Sequence, residues 1–166
     1  MRFLQVKWMV GVAVVIGLLM VAAVTGRKSV HIETLVPAEP TAVWQVLVDI
    51  NVYRDWNSIL VPVAGELVEQ QVMKYEFTPD GGERYLQDTK VRKISEGRLL
   101  NQTGGLFGVI TFDHRYILEP TESGTRLSVK EDYRGIGVHF WDPTQVKQAY
   151  SNFLEALRAR VIDLSP

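Results

Sequence analysis

Hydrophobic and polar positions change rhythm twice along this chain. From Trp8 to Gly26 no side chain carries a charge, and the run WMVGVAVVIGLLMVAAVTG has no polar face. As a helix its 19 residues reach about 28 Å, close to the roughly 30 Å hydrocarbon core of a bilayer. Trp8 at one edge and basic residues at both ends suit the two interfaces. The pattern predicts an N-terminal transmembrane helix within a membrane anchor over 1–28. The alternative is a cleaved signal peptide: Val21-Ala22-Ala23 offers small residues for cleavage, although signal-peptide apolar segments usually run only about 7–15 residues. Arg2, Lys7 and the free amine favour an inside N-terminus, so the body over 29–166 is expected on the extracytoplasmic side of a single-pass anchor. Cleavage would leave it secreted or periplasmic instead.

Beyond Lys28 the period falls to two. Segment 29–36 reads as a first strand with Val30, Ile32 and Leu35 facing inwards. The spacing then turns helical: Val43, Trp44, Leu47 and Val48 recur at i, i+1, i+4 and i+5, after a Pro40 suited to a first turn. A second short helical turn follows at 53–57. Period two returns in 61–69, broken at Gly65, and in 72–78, where Met73, Tyr75 and Phe77 share a face. Pro79-Asp80-Gly81-Gly82 is a turn in which Pro presets φ and the glycines accept positive φ. Strands are predicted over 84–94, with Tyr85, Gln87, Thr89 and Val91 inward, and over 98–103, ended by Gly104-Gly105. Two more follow, over 109–119 and 125–133. Last comes a long helix, started by Asp142 as N-cap, Pro143 at the first position and Gln145 at the third. Val146, Tyr150, Phe153, Leu157, Val161 and Leu164 form its apolar stripe.

Strand, two short helices, a meander of strands and a long helix make an α+β fold. A curved antiparallel sheet of about six to seven strands, wrapped round the C-terminal helix, buries that stripe. Such a wrap leaves a cleft walled by large apolar side chains. Charge changes the picture next. Of 18 basic residues four lie in 1–28, which leaves 14 against all 19 acidic residues in 29–166, a formal charge of −5. So acidic a body argues against nucleic acid as a partner. No cysteine is present. His31, His114 and His139 have no metal-ligand spacing, and no nucleophile motif occurs, so neither a metal nor a cofactor is expected.

Two blocks carry a family resemblance. Val36-Pro37-Ala38, Val43-Trp44, Leu47, Asp49, Tyr53 and Trp56-Asn57 form the first. His114, Leu118-Glu119-Pro120, Gly124-Thr125-Arg126-Leu127, Glu131 and Gly135 form the second. Together they are similar to the START-like, or polyketide cyclase/dehydratase (SRPBCC), superfamily, whose fold is the helix-grip, and the likeness covers about 30–164. The resemblance implies a cavity for a hydrophobic ligand between sheet and C-terminal helix. Its expected partners are a lipid-like small molecule and the membrane. The expected function is non-catalytic binding or transport; the alternative is a cyclase or dehydratase acting in the same cavity.

The residues expected to bind ligand are Trp56, Met73, Tyr75, Phe77, Tyr85, Val91, Phe112, His114, Tyr116, Val129, Glu131, Tyr133, Tyr150, Phe153 and Leu157. Should the protein be an enzyme, His114 and Glu131 are the catalytic candidates. Residues of equal parity share a strand face, so Ile110, Phe112, Tyr116 and Leu118 carry His114 inwards. Leu127, Val129 and Tyr133 do the same for Glu131. Placing Leu118 opposite Leu127 sets His114 opposite Glu131, but also Asp113 against Asp132 and Arg115 against Lys130. A slip of two residues relieves those like charges and leaves His114 and Glu131 diagonal neighbours. Either a buried structural pair or the polar end of a ligand cavity fits this placement.

Overall fold

Alternation of inward and outward side chains builds a single seven-stranded antiparallel sheet in the computed structural model, which describes residues 2–79 and 82–165. Helix α1 (Arg2–Thr25) leads directly into strand β1 (Arg27–Val36). Helix α2 (Pro40–Val48), a 3-10 turn (Ile50–Val52) and the short α3 (Tyr53–Trp56) follow. Then come β2 (Leu60–Ala64), β3 (Val72–Phe77), β4 (Tyr85–Ser95), β5 (Leu99–Leu106), β6 (Ile110–Thr121) and β7 (Gly124–Arg134). A second 3-10 turn (Ile136–Phe140) leads to α4 (Thr144–Asp163). The strands lie in the order β1-β7-β6-β5-β4-β3-β2. This is the helix-grip architecture: a curved sheet on one side, α4 gripped in its concave face, and α2 and α3 closing one end.

The α4 stripe explains the grip. Val146, Tyr150, Phe153, Leu157 and Val161 are all buried, with Ala149 and Leu154 beside them. Leu164 belongs to the predicted stripe but is exposed, because the helix has ended at Asp163. The helix also starts one residue later than expected. Pro143, with ψ near 2°, stands at the N-cap position rather than the first helical one. Asp142 still caps: its Oδ1 accepts hydrogen bonds from the Thr144 N–H at 3.0 Å and the Thr144 hydroxyl at 2.8 Å. On α2, Val43, Trp44 and Leu47 are buried against the core as their spacing requires.

Three strand details differ from expectation. Leu35 is exposed, since strict alternation after Val30 brings Val36 inwards instead. The strand predicted over 61–69 stops at Ala64, where Gly65 at φ +92° turns the chain so tightly that a Cβ would meet the Val72 carbonyl oxygen at 2.4 Å. Gly104 and Gly105 do not end a strand; β5 runs through both. A Cβ on Gly104 would lie 2.4 Å from the Phe112 ring, so the missing side chain makes room for an aromatic one. In the turn before β4, Asp80 and Gly81 lie outside the described residues. Between Val91 and Lys93 the β4–β5 register shifts, a bulge at Arg92 that lets both Val91 and Ile94 face inwards and bends the sheet.

Candidate functional site

Sheet and α4 part company at one end of the concave face. There a cavity of about 510 Å³ opens to the surface. Phe77, Ile110, Phe112, Trp141, Val146 and Tyr150 wall it, Glu131 and Tyr133 lie at its floor, and Lys74, Tyr85, Leu86 and Asp88 rim the mouth. Its size falls within the roughly 300–1,000 Å³ usual for small-molecule sites. A second chamber of about 20 Å³ continues inwards, sharing Phe77, Gln87, Phe112, Glu131 and Tyr150 with the first. It reaches Leu60, Tyr75, Thr89, Gln102 and His114. A chamber that small holds about one water-sized group.

The floor is polar because the β6–β7 register makes it so. Leu118 pairs with Leu127, and His114 therefore pairs with Glu131. His114 Nδ1 lies 3.3 Å from Glu131 Oε1, and both side chains are almost wholly buried. The Tyr133 hydroxyl donates to Glu131 Oε2. His114 Nε2 has no hydrogen-bond partner among the described residues. Outside, the like-charge pairing of Asp113 with Asp132 is tolerated because Arg115 bridges the two, with Nε 3.0 Å from Asp113 and Nη2 on Asp132. Burial, the Ser29 hydroxyl and Arg115 act together on Asp132; the Ser29 hydrogen bond dominates and lowers its pKa.

Tyrosines surround the carboxylate, and burial raises the pKa of each. Tyr133 and Tyr150 are pushed well up, first by burial and then by the Glu131 charge. Tyr85 is raised by the same two causes. Tyr75, whose hydroxyl accepts from Gln102 Nε2 at 2.8 Å, is pushed up to about 12 by burial. A folded-state pKa above the unfolded value means stability is complete below the unfolded value near 10 and lost as pH rises towards 12. Denaturant midpoints are therefore expected to hold steady up to about pH 9 and to fall steeply above pH 10. A flat profile to pH 12 would contradict the burial of these hydroxyls.

Of the residues expected to bind ligand, Phe77, Tyr85, Phe112, Glu131, Tyr133 and Tyr150 line the larger cavity. Tyr75 and His114 line the inner chamber. The structure places Met73, Val91, Tyr116, Val129, Phe153 and Leu157 in packed core beside the site, and Trp56 half-buried against that core. Phe153 fills the space itself: its ring centroid lies 5.5 Å from that of Trp56, 5.7 Å from Tyr116 and 6.1 Å from Tyr53. Tyr85 is 46% exposed and belongs to the mouth, not the interior. Sequence reasoning missed Trp141 and Leu86, which lie in the turn before α4 and on the outward parity of β4. It also missed Gln102, whose inward parity with Leu100 was the available signal. Among the described residues no cluster of three or more His, Asp or Glu side chains could hold a metal ion.

A family model described as polyketide cyclase / dehydrase and lipid transport matches residues 27–161. The chain belongs to this family. The polyketide cyclase / dehydrase and lipid transport fold is equally visible in solved structures. The Zhui aromatase/cyclase from Streptomyces sp. R1128 superposes with a TM-score of 0.67 at 14% identity, over 82% of this chain and 94% of that one. Ara h 8.0201 gives a TM-score of 0.64 at 18% identity, over 83% and 99%. Norcoclaurine synthase from Thalictrum flavum, in complex with dopamine and hydroxybenzaldehyde, gives 0.66 at 14%, over 84% and 89%. At these identities the likeness is one of fold. No curated protein matches the sequence.

Proposed function

We propose that this member of the family binds a hydrophobic, lipid-like small molecule non-catalytically and does so tethered to a membrane. One observation carries the reading: an apolar-walled cavity of about 510 Å³ that ends in a polar, water-sized chamber beside Glu131 and His114. The large chamber suits a hydrocarbon or ring system. The small one suits a single hydroxyl or carbonyl, with Glu131 as acceptor and His114 Nε2, which has no partner among the described residues, as the second polar contact. Glu131→Gln keeps the shape and removes the charge. It is expected to weaken binding of a hydroxylated fluorescent fatty acid at least about tenfold, the value of one charge-assisted hydrogen bond. Unchanged affinity together with a large loss of stability would mean the pair serves only the fold.

A cyclase or dehydratase is the second reading, favoured by the same pair. A carboxylate in contact with an imidazole, at the inner end of a ligand cavity, is placed for proton transfer. Turnover abolished by Glu131→Gln with substrate affinity retained would establish it.

The tether is α1, whose span Lys7–Thr25 is long and apolar enough to cross a bilayer. In this reading 1–28 is the anchor and 29–166 the ligand-binding domain, on the extracytoplasmic side. The full chain is expected to stay in the membrane pellet after carbonate washing with its N-terminus intact. A soluble mature chain starting near Val24 would establish the signal-peptide alternative.

A further inference from the structure

The end of α1 lies close to the cavity mouth. His139, in the 3-10 turn Ile136–Phe140, sits with Nε2 3.0 Å from the Ala22 carbonyl and 3.4 Å from the Thr25 hydroxyl. Gly26 and Gly135 join the two segments by a backbone hydrogen bond of 3.1 Å, and a Cβ on Gly26 would stand 2.0 Å from the Gly135 oxygen. The β5–β6 turn is held to the same place, with the Ile136 N–H donating to Gly108 and the Gly137 N–H to Val109. Two aromatic side chains project from this edge into solvent: Phe107 at the tip of the β5–β6 turn, 94% exposed, and Phe140 at the end of the 3-10 turn, 89% exposed. The cavity opens at this same end of the sheet: Gly105 and Ile110 flank the β5–β6 turn, Trp141 follows Phe140, and Tyr85 and Leu86 form the far rim.

Two arginines stand at this edge. Arg27 and Arg134 are exposed cross-strand neighbours on the outer face, immediately past the helix end. Like charges directly opposite destabilise a sheet, and the nearby Asp132 is already engaged by Ser29 and Arg115, so among the described residues neither Arg27 nor Arg134 has an ion-pair partner. Basic residues just outside a span draw anionic headgroups.

We propose that this edge docks on the membrane surface, with Phe107 and Phe140 inserted at headgroup depth, Arg27 and Arg134 on anionic lipid phosphates, and the cavity mouth opening onto the bilayer. The proposal rests on the tethered reading of α1. It makes the bilayer the source from which ligand enters, without passage through water. Insertion of exposed aromatic side chains at this depth is what amphipathic surface anchors do.

The absence of cysteine allows single labels in the full chain. Phe107→Cys, Phe140→Cys, Val15→Cys within α1 and Glu122→Cys at the opposite, β6–β7 end are each coupled to an environment-sensitive fluorophore. The proteins are then reconstituted in phosphatidylcholine vesicles with a minority of phosphatidylglycerol. Labels at 107 and 140 are expected to emit to the blue of the label at 122 and to be quenched several-fold more by headgroup-level nitroxide lipids. Spectra and quenching at 107 and 140 like those at 122, with the label at 15 protected by lipid, would overturn the docking face alone. An unprotected label at 15 would overturn the tether and the docking face together. Blue-shifted labels that no lipid quencher reaches would mean that protein covers the edge, and would also overturn it. None of these outcomes depends on ligand uptake, so failure of the binding reading shows separately.

Discussion

Phe153→Ala is expected to lower the free energy of unfolding by about 3–5 kcal/mol, as deletion of a large buried aromatic does. Phe153 is fully buried on the middle of α4, and its ring is hemmed by those of Tyr53, Trp56 and Tyr116. Those neighbours come from α3 and β6, two different elements, so no single element can move to fill the hole. Chemical denaturation with fluorescence detection measures the effect. A loss below about 1 kcal/mol would mean that the site collapses freely, and that Phe153 faces open cavity after all.

Glu131→Leu is the second large effect. The substitution strands two buried groups that now point at the carboxylate, His114 Nδ1 and the Tyr133 hydroxyl. Each costs about 1–3 kcal/mol when left without a partner, so a loss of about 2–6 kcal/mol is expected. Adding His114→Leu removes one stranded group and should restore part of the stability, because apolar replacement of both members of a buried pair is far milder than removal of one. If the double variant is less stable than Glu131→Leu by the full cost of a second lesion, the two side chains are not coupled.

Much of this was legible in the sequence because periodicity reports burial. The inward parity of β6 and β7 sets His114 beside Glu131, and the pairing of Leu118 with Leu127 bears that out. The like charges outside were a reason to doubt that register. Arg115 removes the doubt by reaching both aspartates, a three-body effect that pairwise reading of a strand does not contain. Core and cavity could not be separated for the same reason. Phe112 and Val129 have equal claims by parity and hydrophobicity, yet one lines open space and the other is packed shut. The difference is one of neighbours: Phe112 faces the side-chain-free Gly104 near the open end, whereas Val129 stands between Ile32 and Tyr116 in mid-sheet. The mouth was harder still, since Leu86 and Trp141 belong to no inward pattern.

Strand order has a kinetic consequence. β1 is the first strand to leave the ribosome, yet its only partner in the sheet is β7, with Arg27 against Arg134 and Val36 against Thr125. Closing so long a loop must wait for nearly the whole body to be made, and non-local pairings of this kind slow folding. The local hairpins from β3 to β7 can form first, leaving the β7 edge open until β1 returns to cover it. During that interval an unpaired β7 edge is the part of the nascent chain most exposed to mispairing with a second copy.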